Sequence, residues 1–312
     1  MSKIDRVLRS NLKLRHLQLL VALDQFRHLG RAAEFLAVTQ PAVSKTLAEI
    51  ERMLDMTLFE RSTRGTEPTA AGVSMVRFAR SVLAGFERTR DEMVAEASGT
   101  RGRTSVGAMV VATPVLLARA VEQLKARSAQ TTVLVEEGDL TRLLPKLRMG
   151  ELDLFVGRLE PGYASPDLET EALYDEPMVA VVRPGHALLA QPASWQALAD
   201  MPCVMPPPWA SLRVKLEQQF FAHGLHPPAD LVESASFLSQ ISFLHQRGAV
   251  AFMASGVAQH FAQQGLVAVL DLPVPIDLPP VGLITLRGQP MTATTRLLVE
   301  CLRAVGNGLA SR

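Results

Sequence analysis

The 312-residue chain is too long for one ordinary module, and its 48% apolar and 20% charged residues exclude a chain too polar to fold. The net charge of +1 is unevenly distributed, because residues 1–69 carry 11 Lys and Arg against 8 Asp and Glu. Two widely separated cysteines, Cys203 and Cys301, argue against a disulfide framework or a zinc site. The sequence contains neither a secretory signal nor an apolar run approaching ~20 residues. We therefore expect a soluble, cytoplasmic protein without membrane segment, metal or cofactor.

The first 69 residues predict three helices and a hairpin. An amphipathic helix covers Leu14 to Leu23, and a short one covers Gly30 to Ala37. The third begins near Thr39 or Gln40, either of which can cap it, and continues to Leu54. A hairpin with a basic, Gly-containing tip follows.

The turn between the second and third helices predicts a helix-turn-helix. Ala32 and Ala33 are small enough for the two helices to cross closely. Short polar side chains at the start of the third helix, Gln40, Ser44 and Lys45, suit entry into the major groove. Gln40 can pair with adenine and Lys45 with guanine or phosphate. A plain helical hairpin with solvated polar residues is the alternative.

Residues 70–98 predict one long helix. Its apolar residues recur at spacings of 3, 4, 3 and 7, which favours a dimerising coiled coil over a helix buried within its own chain. The residues of this seam are Val76, Ala79, Leu83, Phe86 and Met93. A basic hinge, 99–103, follows.

From residue 104 to 312, strands alternate with helices, which predicts parallel sheets with right-handed crossovers. We expect an α/β multidomain protein in which this part forms two lobes around a ligand cleft. Subdomain I is expected at about 104–175 and 274–312, and subdomain II at about 176–273.

Several motifs stand at fixed offsets along the chain: Arg31-Ala32-Ala33, Thr39 to Ser44, Ile50-Glu51, Leu54, Leu58-Phe59, Arg61, Thr69 to Gly72 and Gly150 to Leu154. Together these segments resemble the LysR-type transcriptional regulators. The resemblance implies a winged helix-turn-helix at 1–69, a dimerising linker helix at 70–98, and an effector domain at 104–312 that resembles periplasmic binding proteins. Two positions depart from the pattern: Gly30 stands where a capping Ser or Thr is frequent, and Pro68 replaces a common Leu.

The resemblance also assigns candidate sites. The expected DNA contacts are Arg31, Thr39, Gln40, Pro41, Ala42, Ser44, Lys45 and, at the wing tip, Arg64. The expected effector contacts are Met109, Val111, Thr113, Leu140, Thr141, Trp209, Ser211, Phe237 and Met253. Ordinary core packing is the alternative for each effector residue. Helix starts at Thr113 and Ser211, beside an apolar lining, favour a small carboxylate effector.

The whole pattern predicts a ligand-responsive transcriptional regulator. The chain has no GxSxG, HExxH, P-loop or dinucleotide fingerprint, so we expect no enzyme and no catalytic residues. A transport binding protein would leave residues 1–97 unexplained, and an architectural DNA-binding protein would leave the bilobed part unexplained. The expected partners are an interrupted palindromic promoter site on double-stranded DNA, RNA polymerase, and further copies of the chain in a homodimer and homotetramer. Segments such as Glu136-Glu137-Gly138 are similar to regulators of aromatic-acid or sugar catabolism.

Overall fold

A computed structural model describes residues 3–62, 65–98, 102–208 and 210–311. The chain divides into two compact units. The first contains the residues up to Ser105 together with 130–132 and 141–153, and the second contains 106–129, 133–140 and the residues from Leu154 onward. The first break, after Ser105, lies next to the expected boundary at residue 104, but residues 130–132 and 141–153 of the expected effector domain group with the first unit.

The N-terminal part is mostly helical, as predicted, with one antiparallel hairpin. Its elements are α1 (Lys3–Arg6), a π-helical turn (Val7–Asn11), α2 (Leu14–Phe26), α3 (Leu29–Phe35), α4 (Gln40–Leu54), β1 (Phe59–Ser62), β2 (Gly65–Pro68) and α5 (Ala70–Ser98).

Burial of apolar side chains from α2, α3 and α4 builds one core in this part. Leu20, Leu23 and Ile50 are completely enclosed. Val76 and Ala79 of α5 belong to the same core, and Leu83 packs against it. For Val76 and Ala79, which are 5% and 0% exposed, the prediction of an intermolecular seam is therefore wrong, whereas for half-buried Leu83 it stays a prediction. The physical reason is that a 3-4 spacing marks a buried stripe without specifying whether the covering surface belongs to the same chain.

A different face of α5 carries the exposed apolar side chains. Phe78, Val82 and Phe86 follow each other at four-residue intervals, and Met93 continues the stripe. Phe86 and Met93 are 49% and 67% exposed. Of the predicted seam, these two residues alone lie on this surface, which we call the exposed α5 stripe (Phe78, Val82, Phe86 and Met93).

His16, in the first turn of α2, is a titratable group inside this core. Its Nδ1 accepts a hydrogen bond from the Lys13 backbone N–H at 3.3 Å, and its Nε2 has no hydrogen-bond partner among the described residues. Burial lowers the pKa of His16; Glu49 opposes this effect, while Arg15 and Lys13 add to it. The folded protein therefore holds His16 neutral at a pH where the unfolded chain begins to bind a proton.

This shift predicts a pH-dependent loss of stability. Because the folded pKa lies below the unfolded value of about 6.5, stability should fall as pH drops through that value and level off below the folded pKa. Amide protection factors in α2, compared at about pH 7.5 and about pH 5.5, should decrease in the wild type and change less in His16→Asn. The exposed His226→Asn is the control and should retain the wild-type decrease. Equal decreases in all three proteins would contradict the assignment to His16.

The remaining chain forms the α/β part. Its helices are a π-helical turn (Thr113–Leu117), α6 (Ala118–Arg127), α7 (Leu140–Met149), two 3-10 turns (Pro161–Tyr163 and Ala187–Leu189), α8 (Trp195–Ala199), α9 (Ser211–Ala222), α10 (Phe237–Arg247), α11 (Ser255–Gln263) and α12 (Ala293–Ala310). Its strands are β3 (Arg103–Ala108), β4 (Thr132–Glu137), β5 (Leu154–Arg158), β6 (Leu168–Tyr174), β7 (Met178–Val182), β8 (Cys203–Met205), β9 (Leu231–Glu233), β10 (Val250–Ala254), β11 (Ala268–Val269) and β12 (Val281–Leu286).

The strands form two five-stranded sheets, ordered β4-β3-β5-β12-β6 and β11-β7-β10-β8-β9. The expectation of parallel sheets is corrected: β3 pairs with β5 in parallel, but β12 is antiparallel to both β5 and β6, and β7 is antiparallel to β10. β7 and β12 enter their sheets directly from the other sheet. Since no helical crossover within one sheet precedes them, nothing requires them to be parallel to their neighbours.

Both cysteines are buried in the apolar core of this part. Burial raises the pKa of the Cys203 thiol to about 12, so it stays protonated and packs as a small apolar side chain. Within the described ranges, no helix is both long and apolar enough to cross a membrane.

Candidate DNA-binding surface and effector site

The side chain of His28 fixes the start of α3. Its Nδ1 accepts hydrogen bonds from the backbone N–H groups of Gly30 and Arg31, at 3.1 and 3.4 Å. Histidine therefore provides the cap that Gly30 lacks, and the helix begins at Leu29 instead of Gly30. The sequence did not predict this role, because the side chains that usually cap a helix start are Ser, Thr, Asp and Asn. Arg31 is exposed, as a phosphate contact requires.

The start of α4 carries the side chains that are predicted to contact DNA bases. Thr39 is the N-cap, and its Oγ1 accepts from the Ala42 N–H at 3.4 Å. Exposed residues follow in the first two turns, while Ser44 is half-buried. The exposed members of the predicted set are Gln40, Pro41, Ala42 and Lys45. A helix end with exposed polar groups and exposed small apolar groups can contact base edges in the major groove.

The β1–β2 hairpin is attached to the end of α2. The Thr66 backbone N–H donates to the Arg27 carbonyl oxygen at 2.9 Å. Gly65 has a φ of 130°, and a Cβ there would lie 2.7 Å from the same carbonyl oxygen, so this close approach requires glycine. Arg64, the predicted wing-tip contact, lies outside the described residues.

A second junction joins α4, the hairpin and α5. Glu51 of α4 accepts hydrogen bonds at Oε1 from the backbone N–H groups of Leu58 and Phe59, at 2.7 and 3.1 Å. The Leu58 carbonyl oxygen accepts from the Thr69 backbone N–H at 2.9 Å, immediately before α5 begins. A Cβ at Gly72 would lie 2.0 Å from that oxygen, so α5 can approach it only through a glycine. We call this contact set the Leu58 junction.

The two helix starts expected to bind an effector carboxylate are both in the second unit. Thr113 begins a π-helical turn that continues into α6, and its Oγ1 donates to the Met109 carbonyl oxygen at 3.2 Å. Ser211 begins α9, and the preceding Ala210 provides no side-chain cap. The Ser211 Oγ instead donates to Oε1 of Glu160 at 3.2 Å. A carboxylate of the protein thus already lies at the start of α9.

The other predicted effector residues have unequal exposure. Val111, Leu140 and Met253 are only 7%, 3% and 4% exposed, which favours core packing for these three. Met109 and Phe237 are half-buried, and Thr141 is exposed near the start of α7. Trp209 lies outside the described residues.

Arg158, at the end of β5, is a buried cation that the sequence analysis missed. Its Nη1 donates to the Pro279 carbonyl oxygen at 2.9 Å and its Nη2 to the Glu176 carbonyl oxygen at 2.6 Å. Both carbonyls lie on the two segments through which the chain passes between the sheets. Burial lowers the pKa of Arg158, opposed by the charges of Glu176 and Glu160. The Glu176 carboxylate in turn accepts from the Gly256 N–H at 2.8 Å.

Two family models match the chain. Residues 14–73 match the bacterial regulatory helix-turn-helix protein, lysR family, and residues 97–307 match the LysR substrate binding domain. The chain belongs to the LysR family of transcriptional regulators. This LysR-family regulator is 32% identical over 304 residues to the transcriptional regulator GbpR of Azospirillum brasilense, covering 96% of this chain and 88% of the relative. It is 30% identical over 299 residues to PcaQ of Agrobacterium fabrum, covering 96% of both.

Solved structures share this regulator's fold. CbnR, a LysR family transcriptional regulator, superposes with a TM-score of 0.71 at 19% identity, covering 95% of this chain and 99% of that chain. Full-length CbnR in complex with its target DNA superposes with a TM-score of 0.70 at 19% identity, covering 94% of this chain and 100% of that chain. The fold is thus an N-terminal helix-turn-helix followed by a two-subdomain α/β regulatory domain. The predicted family, fold and transcriptional role are confirmed, and the regulator is not an enzyme.

Proposed function

We propose that this DNA-binding regulator responds to a small carboxylate metabolite that binds in the regulatory domain at the start of α9. The observation that carries the proposal is the Ser211–Glu160 contact of 3.2 Å. The backbone N–H groups at a helix start carry partial positive charge, which stabilises carboxylates. Ala210 provides no side-chain cap at this helix start, and the Ser211 hydroxyl beside it holds a carboxylate of the chain itself.

The start at Thr113 supports a second contact to the same effector. No side chain caps this turn at Ala112, and the Thr113 hydroxyl is held by the Met109 carbonyl oxygen. Half-buried Met109 and Phe237 provide apolar surface for the body of the ligand. Control of aromatic-acid or sugar catabolism stays a prediction.

Regulation then follows from thermodynamic linkage. An effector changes DNA binding only through unequal affinity for two arrangements of the oligomer. We propose a homodimer that assembles into a homotetramer on an interrupted palindromic promoter site. The effector changes the spacing of its DNA-binding pairs, and thereby the DNA bend and the access of RNA polymerase. DNA contacts come from the start of α4, Arg31 and the wing residue Arg64.

A thermal-shift screen of organic acids tests the ligand class. A ligand that binds only the folded state adds about 2.7 kcal/mol of apparent stability at a hundredfold excess over Kd. Carboxylates should stabilise the wild type, and Thr113→Val combined with Ser211→Ala should abolish the shift without unfolding the protein. Hits confined to neutral or cationic compounds would contradict the carboxylate. Hits that survive the double substitution would place the site elsewhere.

In this proposal Glu160 competes with the effector carboxylate for the start of α9, so neutralising Glu160 gives a sharper test. Glu160→Gln should bind the same acids roughly two- to fivefold more tightly, since the contribution of an anion at a helix start is about 0.3–1 kcal/mol. The control is Glu169→Gln, which neutralises an exposed carboxylate on β6 and should leave affinity unchanged. Unchanged or weaker binding by Glu160→Gln would separate Glu160 from the ligand site.

A further inference from the structure

Five side chains of the first unit form a continuous chain of alternating charge. Arg80 of α5 donates from Nη1 to Glu151 Oε1 at 3.2 Å and from Nη2 to Asp24 Oδ2 at 3.1 Å. The other oxygen of Asp24 accepts from Arg27 Nη2 at 2.8 Å, and Arg27 Nη1 donates to Glu67. We call this set, in the order Glu151, Arg80, Asp24, Arg27 and Glu67, the charge chain.

The two ends of the charge chain lie in segments with different functions. Glu151 follows α7 within the region matched by the regulatory-domain model, whereas Glu67 lies on β2 of the wing. Arg88 of α5 also holds the turn after α7, because its Nη1 donates to the Gly150 carbonyl oxygen at 3.2 Å. The turn is thus fixed to α5 by two arginines, and one of them continues toward the wing.

Arg27 connects the charge chain to the wing backbone. Its side chain pairs with Asp24 and Glu67, while its carbonyl oxygen accepts the Thr66 N–H. A change in the position of Arg27 therefore acts on both a side chain and a backbone group of β2.

Arg80 is the connecting residue, because each arm of its guanidinium holds a different carboxylate. A planar guanidinium presents several N–H groups in fixed directions, so it can hold two carboxylates at a defined separation. The Arg80 side chain is 26% exposed, which reduces solvent screening without requiring full desolvation of the charge. A shift of Glu151 relative to α5 therefore weakens one contact of Arg80 and changes the charge next to Asp24.

We propose that Arg80 is a positioning residue that couples the turn after α7 to the wing. α7 begins at Leu140 and Thr141, two residues predicted to contact the effector, and ends at this turn. Displacement of α7 reaches the wing through Arg80, Asp24 and Arg27, and changes how firmly the wing is held for DNA. The coupling is a property of the protein alone and holds whatever the chemistry of the effector.

Amide hydrogen exchange in the full-length protein, without DNA or effector, tests the coupling. Glu151→Gln removes a charge in the regulatory part, and we expect Thr66 to exchange about two- to fivefold faster, as suits the loss of one partly screened ion pair. The matched control is Glu300→Gln, which breaks the Arg127–Glu300 ion pair (3.1 Å) on α6 and α12 outside the charge chain. It should leave Thr66 exchange at the wild-type rate.

A double-mutant cycle with Arg80→Gln separates coupling from general loosening. If Arg80 carries the effect, Glu151→Gln should change Thr66 exchange little in the Arg80→Gln background. Wild-type exchange in Glu151→Gln, equal acceleration in Glu300→Gln, or additive effects in the double variant would each overturn the proposal. If Arg80→Gln fails to fold, the comparison of Thr66 exchange between Glu151→Gln and its control Glu300→Gln still tests the coupling. Neither result depends on a carboxylate effector, so the two proposals can fail separately.

Discussion

Gln40→Ala and Lys45→Ala are each expected to weaken specific DNA binding by about 1–3 kcal/mol, or roughly 5- to 150-fold in Kd. Both side chains are exposed in the first two turns of α4, next to the Thr39 cap. A lost base contact leaves donors and acceptors in the groove unpaired, so affinity for the operator should fall more than affinity for random DNA. Arg64→Ala should weaken all sequences more evenly, since a wing arginine contacts phosphates or the minor groove.

Gel-shift titrations can measure these changes on genomic fragments captured with the purified wild-type protein. The matched control is Gln259→Ala, an exposed glutamine on α11 of the regulatory domain, which should bind as the wild type does. A salt titration adds a second readout, because the loss of a phosphate contact lowers the salt slope by about one. Wild-type operator affinity in both α4 variants would show that another element reads the bases.

Phe86→Asp is expected to dissociate the proposed homodimer and thereby to abolish most of the operator affinity. Phe86 is central in the exposed α5 stripe and does not belong to the core of its own chain. A carboxylate in a closed helix pair loses its hydration without gaining a partner, which costs several kcal/mol. Leu83→Asp is a weaker test, because Leu83 packs against the core and its replacement also damages the fold.

Sedimentation velocity, together with circular dichroism, would distinguish loss of assembly from loss of folding. Ser81→Asp is the control, since it adds the same charge at an exposed position of α5 away from the stripe. Phe86→Asp should sediment as a folded monomer and Ser81→Asp as the wild type. A folded Phe86→Asp dimer would move the principal interface to the regulatory domains.

Local signals in the sequence were sufficient for much of the N-terminal architecture. Pro41 in the first turn of α4 and the polar residues before it set the boundary of that helix within one residue. The Gly-containing tip correctly indicated the β1–β2 hairpin. These signals act within a few residues of the chain, so local pattern is enough to detect them.

Features that depend on distant parts of the chain could not be predicted from local sequence patterns. The division of α5 into a core-facing side with Val76 and Ala79 and an exposed side with Phe86 depends on where α2 packs. The antiparallel position of β12 depends on the return of the chain from the other sheet. Arg80, Arg158 and Glu160 gain their partners from residues 18 to 121 positions away, and no periodicity marks such pairs.

Through the Leu58 junction, the direction of the linker helix α5 determines which spacing of DNA half-sites the protein can bind. Glu51 in α4, the proposed recognition helix, accepts a hydrogen bond from Leu58 just before β1 at 2.7 Å, and Leu58 accepts one from Thr69 just before α5 at 2.9 Å. Within one subunit, the recognition helix must therefore follow the direction in which α5 leaves this point. When two such helices pair, the angle at which they cross sets the distance between the two recognition helices. Half-sites about one DNA turn apart, about 34–36 Å, fit only one range of that angle.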